Sequence, residues 1–161
     1  MSLNIITTYL QGLDMVDIIK VRLASVKELP YIEKMWKKLE PSNNYQDILI
    51  FYLMFRRYIY IAGLDNNPIG FAAGSIKNDI RGHLSAIYVE ELYRRHGVGQ
   101  KLINVLENKF RQENFKKMTL EVKEDNYNAI SFYEKNNFVR IGKKPRYYGT
   151  KDALLYIKEL I

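Results

Sequence analysis

Between His83 and Phe110 the sequence changes its period, and that change constrains the fold more than any other feature. The stretch "HLSAIYV" (His83–Val89) reads as a β-strand. Arg94, Arg95 and His96 then lead into Gly97, Val98 and Gly99, and Val98, Leu102, Val105, Leu106 and Phe110 recur at helical spacing. A strand, a short loop with two glycines and an amphipathic helix follow one another directly. The first N–H groups of a helix have no internal acceptor, and the helix dipole is positive there. Glycine at 97 and 99 lets a ligand approach the main chain with no Cβ in the way. Arg94 and Arg95 add positive charge. The loop reads as an anion pocket suited to a pyrophosphate, with plain turn chemistry as the alternative. Its spacing is neither that of a P-loop nor G-x-G-x-x-G.

The remaining segments build one mixed α/β domain. A strand is expected over Ile18–Ala24, followed by S-x-x-E at Ser25–Glu28, a capping-box signal. Leu29, Ile32, Met35, Trp36 and Leu39 follow helical spacing, although Pro30 leaves the helix start ambiguous. "EPSNN" is a loop, and Tyr45–Arg57 reads as a second helix, apolar on most sides. "YIYIAGL", the turn "DNNP" and "IGFAAGSIK" form a hairpin. Lys117–Val122 is a strand, Asn126–Asn136 a helix, and "FVRIGK" and "DALLYIKEL" two more strands joined by "KPRYYGT". The predicted order is β-α-α-β-β-β-α-β-α-β-β.

Composition narrows the chemistry. The 161 residues fit one domain and include no cysteine, which excludes disulfides, thiolate metal sites and a cysteine nucleophile. No apolar run approaches the ~18 residues of a membrane span, so no membrane association is expected. Residues 1–17 lack the pattern of a secretory leader and read as an N-terminal extension, with the domain over residues 18–161. The net charge of +7 suits an anionic partner or simple solubility. Its spread along the chain argues against specific nucleic-acid binding. Neither His83 nor His96 has metal-ligand spacing, and no metal site is expected.

Arg94-x-x-Gly97-x-Gly99, followed by "NYNAISFYEKNNF", resembles the Gcn5-related N-acetyltransferase (GNAT) superfamily. Asn126, Ala129, Tyr133 and Phe138 match the second motif in register. Asn137 stands where the pattern has glycine, and asparagine tolerates the left-handed conformation expected there. The resemblance implies a mostly antiparallel central sheet flanked by about four helices. It also implies acetyl-CoA as acetyl donor, with Arg94, Arg95, His96, Gly97, Val98, Gly99 and Gln100 around its pyrophosphate. Main-chain groups of Ile87, Tyr88 and Val89 would pair with the pantetheine arm, and an amide near Val89 would serve the oxyanion. Asn126, Asn128 and Tyr133 would complete the cofactor site; a helix N-cap is the other role open to Asn126.

The ending "PRYYGTKDALLYIKEL" is similar to that of protein N-terminal acetyltransferases of the ribosomal-protein and archaeal types. By this resemblance Glu121 is the base, its pKa raised by partial burial, and Tyr133 the acid for the departing sulfur. Tyr147 and Tyr148, with Tyr45 opposite, would hold the peptide. The plainer readings are a solvated glutamate, a core tyrosine and exposed loop tyrosines. The implied activity is a cytoplasmic N-alpha-acetyltransferase acting by direct attack in a ternary complex on protein or peptide N-termini. A ribosome or an auxiliary subunit stands open as a partner. Lysine or small-amine acetylation, and a non-catalytic basic binding module, are the alternatives.

Overall fold

The computed structural model describes residues 15–161, so most of the expected extension, residues 1–17, lies outside the described residues. Met15–Ile18 forms one helical turn, and Ile19 drops into the core. The first strand, β1, is therefore shorter than expected, Lys20–Leu23. A 3-10 turn, Val26–Glu28, precedes helix α1 (Leu29–Leu39) and resolves the ambiguity at Pro30. The proline sits in the first turn of α1, where its missing N–H has no acceptor to serve. The Glu28 carboxylate accepts from the Ser25 N–H at 2.6 Å and from its hydroxyl at 2.7 Å. Helix α2 (Tyr45–Phe55) follows, with Ile50, Leu53 and Met54 exposed on its outer side.

Strands β2 (Ile59–Leu64) and β3 (Asn67–Asn78) form the expected hairpin. Its turn residues Asp65 and Asn66 both have positive φ, 48° and 67°, as a two-residue turn of matching twist requires. Strand β4 (Arg81–Val89) begins two residues before His83, because the Asn78 side chain accepts the Ile80 N–H and tightens the preceding turn. Helix α3 (Val98–Gln112), strand β5 (Lys117–Lys123) and helix α4 (Tyr127–Lys135) come next. The last hairpin is β6 (Val139–Tyr148) and β7 (Lys151–Glu159). "KPRYY", expected as loop, is drawn into β6 instead. That strand is the sheet edge, where the missing N–H of Pro145 is tolerated.

The sheet order is β1-β2-β3-β4-β5-β7-β6, and every neighbouring pair is antiparallel except β4 and β5. Helices α3 and α4 cover one face, burying Leu102, Leu106 and Phe110 against Met118 and Leu120. Helices α1 and α2 cover the other, with Ile32, Trp36 and Ile48 against Ile61 and Phe71. Full burial of each such side chain is worth about 1.5–3 kcal/mol. Gly82 admits the ring of Phe110, which would lie 2.7 Å from any Cβ there.

Pairing of β4 with β5 runs from Arg81↔Lys117 to Leu84↔Leu120 and then stops, although both strands continue. At the same point β4 carries a bulge. Ala73 pairs with Ala86 and Gly74 with Leu84, so Ser85 is the extra residue. The bend turns β4 away from β5, and the sheet opens into a fork.

Candidate active site at the fork of the sheet

The glycine loop closes one end of the fork. Gly97 has φ 79° and caps α3, a conformation that costs other L-residues about 1–2 kcal/mol. The first intrahelical bond runs from the Lys101 N–H to the Gly97 carbonyl at 3.0 Å. The amides of Val98, Gly99 and Gln100 therefore have no acceptor within the helix. Buried Val98 anchors the turn, while Arg95, at φ 66°, and His96 are exposed. Arg94 behaves differently. Its Nε donates to the Val89 carbonyl at 2.8 Å, and its guanidinium stands 5.4 Å from the Tyr88 ring centroid. Arg94 thus clamps the end of β4 rather than reaching into the loop. The Gln100 side chain is tied to Asn104 and Asn136, which leaves its main-chain N–H for a ligand.

The main chain of β4 beyond Leu84 alternates between two sides. The Glu90 N–H bonds to the Ile69 carbonyl on β3. By the antiparallel alternation Tyr88 also turns its N–H and C=O to β3, whereas Ile87 and Val89 face the fork. Tyr88 therefore contributes no main-chain group to the open side, a correction to its expected place beside Ile87 and Val89.

Glu121 lies on β5 with Thr119 and Lys123 on the face that α1 and α2 cover, while Met118, Leu120 and Val122 fill the opposite core. Its Oε2 is 2.8 Å from Nε2 of His83. Its Oε1 accepts from Nζ of Lys144 on β6 at 3.0 Å. His83 is 5% exposed, and its Nδ1 is 2.9 Å from Oγ1 of Thr119. The His83 hydrogen bond is the largest influence on Glu121. Together with Lys144 it overrides burial and lowers the pKa to about 2. The expected upward shift is overturned: Glu121 is a firmly ionised carboxylate. The sequence marks His83 only as the start of a strand, and the parallel register of β4 and β5 makes it the partner of Glu121.

Tyr133 projects from α4 into the other core, 7% exposed, with its ring edge-on to Phe132 and Phe138. Burial, and secondarily Tyr148, push its hydroxyl well above the ordinary tyrosine range. Glu121 and Tyr133 thus belong to opposite faces of the sheet. Tyr148 stands between the two environments. Burial raises its pKa to about 12, with Tyr147, Glu121 and Glu40 adding to the shift. Asn126 caps α4 by accepting the Ala129 N–H at 3.2 Å, and Asn128 is exposed in the first turn. Asn137 has φ 65°, the left-handed conformation expected of it.

On the Glu121 face, the last hairpin and the end of α1 come together. Tyr147 and Tyr148 pack edge to face, 5.0 Å between centroids. Lys123 bridges the two walls, with Nζ 3.5 Å from the Leu39 carbonyl and 5.2 Å from the Tyr148 ring centroid. Tyr45 opens α2 on this same face, its ring exposed.

N-alpha-acetyltransferase 30 of Saccharomyces cerevisiae is 31% identical over 91 residues, 54% of this chain and 52% of its own. The chain therefore spans about half the length of that relative. The N-alpha-acetyltransferase of Sulfolobus acidocaldarius is 28% identical over 150 residues, 84% of this chain and 89% of its own. A chain in the crystal structure of the NatC complex bound to Gag peptide and CoA has a TM-score of 0.80 and 25% identity, covering 89% of this chain and 99% of that one. The model of the acetyltransferase (GNAT) family matches residues 25–138. Because that span is more than half of the chain and contains both strands of the fork and the glycine loop between them, the chain belongs to the acetyltransferase (GNAT) family.

Proposed function

We propose that the protein is an acetyl-CoA-dependent N-alpha-acetyltransferase that acetylates the N-terminal amine of proteins or peptides by direct attack in a ternary complex. The observation that carries this reading is the fork between β4 and β5, with Glu121 and His83 on one face and Tyr133 on the other. The names of the yeast and archaeal relatives support the N-alpha assignment, as does a solved relative holding a peptide and CoA.

Acetyl-CoA, when bound, supplies the thioester. The residues fit such a donor. Val98, Gly99 and Gln100 offer amides at the positive end of α3, beside Arg95 and His96. Ile87 and Val89 offer N–H groups to an extended arm, and one of these polarises the thioester carbonyl. Asn126 and Asn128 flank the arm from α4. Glu121, ionised at neutral pH, binds the acceptor's ammonium, and His83 fixes the carboxylate's orientation. So acidic a carboxylate attracts the amine more than it strips its proton. An α-amine with pKa near 8 is neutral on the order of a tenth of the time at pH 7, so a strong base is unnecessary. The Tyr133 hydroxyl stays protonated and donates to the leaving sulfur. Tyr147 and Tyr148, with Tyr45 opposite, hold the peptide.

Lysine acetylation is the second reading, because an ε-ammonium already rests against Glu121. Absence of cysteine fits the reducing cytoplasm. The exposed apolar side of α2 supports an auxiliary subunit as partner, and the basic balance supports a ribosome. The test is acetyl-CoA turnover with peptides beginning Ser, Ala, Met-Leu or Met-Glu, each beside a copy with a blocked N-terminus and a free internal lysine. Turnover lost on blocking supports N-alpha-acetylation. Turnover that survives blocking moves the activity to lysine.

A further inference from the structure

The carboxylate at the fork already has an amine. Lys144 Nζ is 3.0 Å from Oε1 of Glu121, the oxygen that His83 does not use. The same Nζ lies 5.0 Å from the ring centroid of Tyr147. A carboxylate oxygen and an aromatic face bound the amino group, and these are the groups assigned above to an incoming acceptor. The Lys144 side chain is 48% exposed, so a donor can approach it. Its neighbours are committed elsewhere. Lys143 pairs with Asp152 at 2.8 Å, Lys151 with Asp125 at 3.0 Å, and Lys123 lies beside the Leu39 carbonyl. The β6–β7 register is interrupted between Lys144 and Tyr148, so Lys144 is the last regularly paired residue before the tyrosine pair.

We propose that Lys144 is a self-acetylation site, its ε-amine acting as an intramolecular acceptor for acetyl-CoA. The inference rests on the acetyl-transfer reading above. The ammonium gives up its proton to solvent beside Glu121, and the neutral Nζ attacks the thioester carbonyl carbon. An N–C bond forms, the C–S bond breaks, and the sulfur leaves as thiolate to be protonated by Tyr133 or water. The products are Nε-acetyl-Lys144 and CoA. The amide carries no charge, so Oε1 of Glu121 is released for an external amine. Modification therefore clears the acceptor position that Lys144 occupies.

The experiment incubates the folded full-length protein with acetyl-CoA and no peptide, then maps acetyl-lysines by mass spectrometry over time. Lys144 is expected to lead Lys143 by at least about tenfold, because a positioned amine gains from proximity. Excess CoA should slow Lys144 and leave the chemical background at Lys143 unchanged. Glu121→Gln should remove the lead of Lys144. Equal rates at the two lysines, or a Lys144 rate indifferent to CoA, would overturn the proposal. So would an unmodified Lys144 in a sample that acetylates peptide N-termini. If neither Lys144 nor any peptide is acetylated while acetyl-CoA binds, the acetyl-transfer reading itself fails and this inference with it.

Discussion

His83 and Glu121 meet at 2.8 Å across two strands that run parallel just before they part. The contact makes the pair one functional unit, so its members should not contribute independently. His83→Gln and Glu121→Gln are each expected to lower kcat/KM by about 10²-fold. The double variant should lose little more than either single one. A double-mutant cycle on peptide turnover checks this; strictly multiplicative losses would show that the two act separately.

Acid stability follows from the same carboxylate. Glu121 and Glu28 both titrate at about 2 rather than at 4.5, each chiefly through a side-chain hydrogen bond, from His83 and Arg22 respectively. A depressed pKa means that the folded state holds its proton less tightly than the unfolded chain. The stabilisation is fully present above about 4.5 and is lost as pH falls towards about 2. Glu121→Gln should flatten part of that acid limb in thermal melts, with Glu28 supplying the rest. An unchanged limb would count against the His83 contact in solution.

Tyr133→Phe keeps the ring between Phe132 and Phe138 and removes only the hydroxyl. Turnover should fall by about 10-fold to 100-fold, while acetyl-CoA affinity and melting temperature stay close to the parent. Calorimetric titration beside steady-state kinetics separates these. A large loss of stability with normal turnover would mark Tyr133 as a packing residue.

Gly97→Ala places a Cβ on a residue with φ 79°. The strain of about 1–2 kcal/mol falls on the turn that aims the Val98–Gln100 amides. CoA should bind at least several-fold more weakly, whereas Gln100→Ala, which cuts the ties to Asn104 and Asn136, should lower stability more than affinity.

Lys144→Gln removes the cation that competes for Glu121. The KM for peptide amines should fall by a few-fold with kcat little changed. A rise in KM would show that Lys144 assists the acceptor instead of displacing it.

The parts of the site legible in the sequence are those whose signals are local. The glycine loop, the stripe of α3, the Asn126 cap and the left-handed Asn137 each depend on residues within one turn or loop. The partner of Glu121 depends on register between strands that an entire helix separates. The sign of its shift depends further on Lys144, from a third strand. No periodicity within β4 or β5 carries either fact. Both Arg94 and Arg95 read as charge for the anion pocket, and the Val89 carbonyl, brought round by the end of β4, takes Arg94 for another task. "KPRYY" reads as loop because proline argues against a strand, and that argument fails at a sheet edge.

The fork also has a thermodynamic side. On the proposed reading, a donor arm laid along Ile87 and Val89 would add hydrogen bonds that exist only in the folded chain, and binding and folding would then be linked. At a donor concentration of 100 times Kd, the gain is about 2.7 kcal/mol. The melting temperature then becomes an occupancy gauge.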